Sequence, residues 1–371
     1  MPAIAALFDL RADFVEAYPY GNGHINDTFC GWYDQAGQRV RYIHQRINHE
    51  IFQNPEKLME NIQRVTVHAH SELARSGHPE SHRRSLSLIP AKTGECFAID
   101  AEGNFWRTYP FIERARTYDV IESVTQAKAA ACAFASFQKL TASLDGPRLH
   151  ETIPHFHDTP KRLEALRRSL ETDPHGRKAL VAAEIEFIEA HAGDCARITD
   201  GLANGQIPER VTHNDTKLNN VMLDDVSGEG VCVVDLDTVM PGSALYDFGD
   251  MVRTATPSGA EDAPDPSQIH MQMPMFQALA EGYLEVADDF LTETEVEHLA
   301  FAGKLLPLEC GIRFLTDFLE GDHYFKTKHE RHNLDRCRTQ FALVQSIEDQ
   351  FAQMEDCVAQ LANQKKKGSL S

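Results

Sequence analysis

The sequence predicts an α+β protein of two lobes, a small β-rich N-terminal lobe (residues 1–109) and a larger, mainly helical C-terminal lobe (110–371). Three observations predict it. Up to Tyr109, turn residues break the chain into short runs rich in β-branched and aromatic side chains. From Asp119 onward, apolar residues recur at helical spacings over long stretches. Between those helices lies one different stretch, residues 211–250 (VTHNDTKLNNVMLDDVSGEGVCVVDLDTVMPGSALYDFGD), which reads as loop, short strand, turn, strand and loop.

Residues 1 to about 17 read as helical, with a short apolar face. Residues 18–29 (YPYGNGHINDTF) form a loop in which Gly21 and Gly23 fit a turn. Strands follow at 29–33 and 38–47 around the turn 34–37 (DQAG). Residues 56–67 (EKLMENIQRVTV) read as a helix, because Asn54-Pro55 is a good helix start. Further strands are expected at 87–89, 95–100 and 104–110, around turns at 92–94 and 101–103. At 108–113 (TYPFIE) the pattern changes and leads into helices.

In the C-terminal part, Val120, Val124, Ala127, Ala131 and Phe134 fall on one apolar stripe, a core stripe. His150, His155 and His157 share the loop LHETIPHFHD. They could form a metal cluster, but without a cysteine or a paired helical spacing the plain reading is three loop histidines. Residues 161–170 and 177–202 read as two helices, ending at Asn204-Gly205. Residues 254–274 are polar and Pro-rich and read as a loop or insertion with the composition of a mobile segment. Helix returns at 275–286 and 292–321, where Pro307 and Gly311 predict a kink. A last helix covers 332–360, and 365–371 (KKKGSLS) reads as a frayed tail.

The central stretch carries the chemistry. His213, Asp215 and Asn220 follow the pattern His-x-Asp-x-x-x-x-Asn, and Asp235 comes after a hairpin of two strands, 220–223 and 231–236. Phosphoryl transfer needs a carboxylate at the attacking hydroxyl and oxygen ligands for the Mg²⁺ that neutralises the phosphates. These residues stand where a kinase catalytic loop and its metal-binding Asp stand. The bland alternative, turn and cap residues, accounts for the first pattern alone. It accounts poorly for a second Asp at the end of a hairpin, followed by a Pro-Gly turn.

Given that loop, the 21–29 segment reads as a nucleotide loop whose amides approach phosphate oxygens, with an ordinary turn as the alternative. Residues 108–113 stand where a hinge would present its backbone to adenine, with Phe111 and Ile112 as candidates. The strand 41–47 (RYIHQRI) should carry a phosphate-binding Lys and has none; Tyr42, His44 and Arg46 share one face, and Arg46 is the best substitute. Glu60 either pairs with that basic residue or is a solvated surface carboxylate. Asp237 either supports the metal ligand or caps the Pro-Gly turn.

There is no Arg before Asp215 and no Asp-Phe-Gly after the hairpin, unlike an ordinary protein kinase. The looser pattern resembles the aminoglycoside phosphotransferase and choline kinase superfamily. Within it, HNDTKLNN, DLDTVMPG and YDFGD resemble the N-acetylhexosamine 1-kinases, as does GNGHINDTF. The resemblance is strong at 211–250, good at 18–29 and 311–326, and thin at 160–204 and 254–274. It implies a protein-kinase-like fold and the cofactors ATP and Mg²⁺. It also implies an N-acetylglucosamine or N-acetylgalactosamine substrate phosphorylated at the anomeric hydroxyl. Asp215 would be the base, Asn220 and Asp235 would hold the metal, and His24, Arg313 and Tyr324 would face the sugar. Arg and Tyr suit that task, since one presents a fork of donors and the other a hydroxyl on a ring that stacks on sugar faces. The alternatives are a kinase for another small alcohol and a catalytically inactive nucleotide-binding module.

Composition narrows the partners. A net charge of −20 argues against nucleic acid or an anionic membrane as partner, while ATP binding depends on local amides, basic groups and Mg²⁺. The eight cysteines are scattered, which suits free thiols in a reducing cytoplasm. The start MPAIAALFDL lacks the basic residues and length of a signal segment, and no stretch approaches a membrane span.

Overall fold

The structure is a computed structural model and describes residues 1–21, 25–78 and 80–368, the side chains of 366–368 excepted. In chain order the N-terminal elements are α1 (Pro2–Ala5), β1 (Asp13–Pro19), β2 (Asp27–Gln35), β3 (Gln38–Arg46), α2 (Pro55–Ser76), β4 (Ala98–Ile99), β5 (Phe105–Pro110) and β6 (Ala115–Arg116). Then come α3 (Val124–Thr141), α4 (Thr159–Thr172), α5 (Ala182–His191), α6 (Arg197–Ala203), β7 (Arg210–Thr212), β8 (Val221–Asp224), β9 (Gly230–Val233) and β10 (Met240–Gly242). The chain ends in α7 (Ala244–Ala255), α8 (Met273–Ala287), α9 (Glu293–Glu297), α10 (Leu299–Glu320), α11 (His332–Asp349) and α12 (Phe351–Gly368). An N-terminal antiparallel sheet followed by a largely helical region is the arrangement expected of the protein-kinase-like fold.

Two compact units result. The first comprises Met1–Arg116, Leu140–Pro154 and Val221–Met240; the second comprises Thr117–Lys139, His155–Asn220 and Pro241–Ser371.

The first unit is built on a five-stranded sheet of order β1-β2-β3-β5-β4, antiparallel at every pairing. The β2–β3 turn is tight because Ala36 and Gly37 both take positive φ and the Asp34 side chain accepts from the Gly37 amide at 2.8 Å. One sheet face carries Phe29, His44 and Trp106 and is covered by α1 and its sequel, in a cluster of Phe8, Ala91, Ala98 and Trp106 with Ile4, Leu7 and Ile89. By alternation the opposite face carries Thr28, Cys30, Ile43, Gln45, Arg107 and Tyr109. Helix α2 starts where the sequence places it, with the Asn54 side chain accepting from the Lys57 amide at 3.2 Å. It runs on to Ser76 and stops at Gly77, which takes the left-handed conformation.

Several expectations fail here. Residues 13–19 are a strand rather than helix. This edge strand is mostly exposed and is held by its ladder to β2 across a bulge, so little of its order comes from an apolar pattern. Residues 87–89 are irregular, although the Ile89 amide donates to the Thr108 carbonyl at 2.9 Å.

The second unit is helical and centred on α10, which is buried along nearly its whole length and continues through Pro307. Helix α7 approaches it closely at Gly249, where a Cβ would stand 2.4 Å from the Ala302 carbonyl oxygen. The α3 stripe holds for Ala127, Ala131 and Phe134, but Val120 precedes the helix and is exposed. The expected helix 177–202 is broken into α5, α6 and short 3₁₀ turns. Residues 254–274 fold back on themselves: the Ser258 amide donates to His270 O at 3.0 Å, and Gln272 N to Thr256 O at 2.9 Å. Asp262 then pairs with Lys328 at 2.8 Å and His332 at 3.1 Å, so the segment is fastened. No helix among the described residues is long and apolar enough to cross a membrane.

Candidate active site

The catalytic-loop residues all lie in the second unit, between β7 and the 3₁₀ turn Leu218–Asn220. The loop is held by carboxylates from α7. Buried Asp247 accepts from the amides of His213 (3.0 Å) and Asn214 (2.7 Å) and from the Gln138 side chain (2.6 Å). Asp250 accepts from the Thr216 amide at 2.8 Å. Asn214 pays for this wrapping with a positive φ of 65°. His213 is fully buried edge-on to Phe134 and Phe137, and its Nδ1 accepts from the Asp215 amide at 3.3 Å. It braces the loop.

Asp215 is the residue so presented. Asn220 Nδ2 donates to its Oδ2 at 3.0 Å and to its backbone carbonyl at 2.8 Å, and Lys217 Nζ lies 3.1 Å from Oδ2. Burial works to raise the Asp215 pKa; the charge and hydrogen bond of Lys217 work against it, and the carboxyl is held below its ordinary range. It is therefore an anion ready to accept a hydrogen bond. Lys217 was not singled out from the sequence. Its signal was there, two residues after Asp215 on the same loop.

Asn220 sits in the 3₁₀ turn just before β8, one step earlier than the expected strand. With its Nδ2 given to Asp215, its amide oxygen is the atom left to face a cation. Oδ1 of neighbouring Asn219 is buried with no hydrogen-bond partner among the described residues. Amide and carboxylate oxygens suit a hard divalent cation. Among the described residues no group of three or more His, Cys, Asp or Glu forms a metal cluster. An ion that takes most of its oxygens from phosphates and water requires none.

The hairpin and the second Asp belong to the first unit. β8 pairs with β9 through Val221↔Val233 and Met222↔Cys232. The Asp224 side chain accepts from the amides of Ser227 and Val226, which hold its pKa down to about 2. Asp235 follows the hairpin, exposed, at φ 58° and ψ 62°. That left-handed turn redirects the chain into the 3₁₀ turn Leu236–Thr238. Asp237 is buried, and its carboxylate is taken by Arg107 Nη1 and by Asn26 Nδ2, the latter at 2.5 Å. It neither caps the Pro-Gly turn nor stands open as a ligand.

Arg107 was invisible to the sequence reading. It is 1 % exposed, on β5 opposite Gln45, whose Oε1 accepts from its Nε at 3.0 Å. Burial pulls its pKa down, but Asp237 more than offsets this, so the guanidinium stays charged. Arg46 lies one residue on along β3 from Gln45 and so on the other face. It is half-exposed and pairs with Asp27, with Nε 2.8 Å from Oδ2. Glu60 hydrogen-bonds His150 at 2.8 Å, so it does not pair with Arg46.

Of the other expected nucleotide contacts, Gly21 has a φ of 77° with open space where a Cβ would stand, as a backbone turn requires. Gly23 and His24 lie outside the described residues. The Phe111 amide donates to the Arg41 carbonyl at 3.0 Å, which extends the sheet by one bond. Its ring takes the Arg41 guanidinium at 3.6 Å and Tyr20 edge-on at 5.6 Å. Ile112 follows, half-buried.

In the second unit, Arg313 on α10 lies against three rings, with its guanidinium carbon 4.9 Å from Phe156, 5.6 Å from Phe325 and 5.9 Å from Tyr324. Tyr324 is 56 % exposed. Asp317 fastens this turn by accepting from the amides of His323, Tyr324 and Phe325 at 2.7 to 3.0 Å. The loop histidines form no metal group: His150 bonds Glu60, His155 lies beside Lys161, and His157 is buried against Glu309.

The model of the phosphotransferase enzyme family matches residues 18–284. Three solved structures are similar in fold. An aminoglycoside phosphotransferase from Alicyclobacillus acidocaldarius has a TM-score of 0.64 and 13% identity, covering 96% of this chain and 96% of that one. A Plasmodium vivax ethanolamine kinase has a TM-score of 0.53 and 12% identity, over 88% and 82% of the two chains. The GDP complex of wild-type aminoglycoside 2'-phosphotransferase-IIIa has a TM-score of 0.53 and 9% identity, over 89% and 93%. At such identities the likeness is one of fold, and it is the protein-kinase-like fold.

Proposed function

Since the chain belongs to the phosphotransferase enzyme family, we propose that it transfers the γ-phosphoryl group of ATP to the anomeric hydroxyl of an N-acetylhexosamine. The products are the sugar 1-phosphate and ADP. The observation that carries the phosphotransfer reading is the Asp215 carboxylate, ionised and aimed by Asn220 and Lys217 on a loop whose amides are tied to Asp247 and Asp250. Asp215 accepts the hydrogen bond of the sugar hydroxyl, aligns it for in-line attack and takes its proton late in the transfer. Lys217 offsets negative charge beside the acceptor. Asn220 and Asp235 would hold Mg²⁺, which when bound neutralises the phosphate oxygens. Gly21, Gly23, Phe111 and Ile112 remain the proposed nucleotide contacts, whereas Arg46, on the sheet face away from Arg107 and paired with Asp27, does not suit that role; an enzyme consuming ATP works in the cytoplasm.

Two things support the sugar: the likeness of the HNDTKLNN and GNGHINDTF segments to N-acetylhexosamine 1-kinases, and Arg313. That guanidinium makes no hydrogen bond or ion pair among the described residues and sits in an aromatic frame with Tyr324 at its edge. Such a site gives donors and a stacking face to a sugar and repels a cationic acceptor. His24 is a proposed sugar contact on the resemblance alone.

ADP release with Mg·ATP, measured against N-acetylglucosamine, N-acetylgalactosamine, glucose, choline and kanamycin, tests the reading. Turnover with the N-acetylated sugars and a ³¹P resonance of an anomeric phosphate is expected. Turnover with choline or kanamycin alone contradicts the sugar assignment and leaves the kinase for another small alcohol. Replacing Arg313 by Ala should raise the sugar KM about tenfold or more while the ATP KM stays within about threefold.

A further inference from the structure

One member of the histidine loop touches the catalytic loop in a way the proposed reaction does not use. His157 is 8 % exposed. Its Nδ1 lies 2.7 Å from Glu309 Oε1 on α10, and its Nε2 lies 3.1 Å from the carbonyl oxygen of Asn214. The ring is stacked on Tyr246 of α7 at 4.9 Å and flanked by Phe156 at 4.7 Å, so it has little room to turn. Thr159 Oγ1 donates to the other Glu309 oxygen at 2.6 Å.

Counting donors sets the state of the pair. A carbonyl oxygen only accepts, and a carboxylate only accepts. Glu309 is a carboxylate: burial works to raise its pKa, but His157, Arg313 and the Thr159 hydroxyl together hold it below the ordinary value. The Asn214 carbonyl can only accept, so the hydrogen of that contact sits on Nε2 of His157. The charged and titratable groups packed around the pair are Glu309 and Arg313 from α10, Tyr246 from α7, and Asp158 and Arg162 at the start of α4.

The carbonyl held in this way belongs to Asn214, the residue at φ 65° immediately before Asp215. Its amide is fixed by Asp247 on the other side. We infer that His157, oriented by Glu309, is a positioning residue that locks the strained Asn214–Asp215 peptide and so sets the direction of the Asp215 carboxylate. This rests on Asp215 being the base. The role is to pre-set geometry, so its loss lowers turnover more than binding.

The test uses the full chain. In the unaltered protein near pH 7, the imidazole ¹⁵N shifts of His157, assigned by their absence from His157→Gln, should show a hydrogen on Nε2. A ring that carries its hydrogen on Nδ1 alone overturns the inference without any variant having to fold. In His157→Gln and Glu309→Gln, hydrogen exchange of the 213–217 peptide should quicken about tenfold, with that of α7 within about twofold. Unchanged exchange at 213–217 overturns it. With Mg·ATP and N-acetylglucosamine, kcat should fall about ten- to a hundredfold in both variants while the ATP KM stays within about threefold. A protein whose Asp215→Asn form turns over normally would defeat the reading of Asp215 as base, and the exchange and ¹⁵N results would still decide whether His157 locks the loop.

Discussion

Lys217 and Asn220 reach the same carboxylate oxygen of Asp215, one as a charge and one as a hydrogen-bond donor. The charge keeps the carboxyl ionised, and the amide gives it direction. Replacing Lys217 by Met should leave folding intact, because the side chain is partly exposed and Met keeps its length, and lower kcat about ten- to a hundredfold. Steady-state kinetics with thermal unfolding as control checks this. A second residue carries a pH signature. His44 is fully buried, between the Tyr33 hydroxyl at 2.6 Å and the Thr108 hydroxyl at 2.8 Å, and burial pushes its pKa from 6.5 down to about 4. The unfolded chain therefore binds a proton that the folded chain refuses. The stability is whole above pH 6.5 and is lost as pH falls toward 4, by roughly 3 kcal/mol across the window. Urea midpoints should fall more steeply over that window in the natural protein than in His44→Gln.

At this scale the sequence was readable where function is local. His213, Asp215 and Asn220 lie on one loop, so their spacing alone predicts that they come together. Arg107 and Asp237 are 130 residues apart and meet only because β5 lies beside β3 and the 236–238 turn folds under it. No spacing rule links them. His157 was noticed as a candidate ligand, but Glu309 and Asn214 are 152 and 57 residues away, so its partners could not be read from the chain.

Among the elements, those with caps or strong turns were legible. The Asn54-Pro55 start of α2, the β2–β3 turn and the hairpin all obey local rules. β1 was not, since its order comes from hydrogen bonds to β2 and its side chains are mostly exposed. The 254–274 segment is largely the loop its composition predicts, and its polar residues are used in turns of its own and in pairs with Lys328, His332 and Arg253. Packing between α7 and α10 depends on a missing side chain. Gly249→Ala would drive a Cβ to 2.4 Å from the Ala302 carbonyl oxygen and should cost about 1–3 kcal/mol, read from urea unfolding. Gly193→Ala, with open space at the same position, should stay within about 0.5 kcal/mol.

For the molecule as a whole, the family and the fold agree: an antiparallel sheet, then helices, then a loop and hairpin, then helices again, with the family match running from residue 18 to 284. Arg313, the proposed acceptor contact on α10, lies beyond the end of that match, where family-wide motifs give no guidance. The account stands on one carboxylate. The most direct measurement is kcat of Asp215→Asn beside the natural protein, with Mg·ATP and the best acceptor of the panel, together with ATP affinity by titration calorimetry. Loss of turnover by about a thousandfold or more, with ATP affinity within about threefold, is the predicted result. Turnover near that of the natural protein, in a variant that folds and binds ATP, would contradict it.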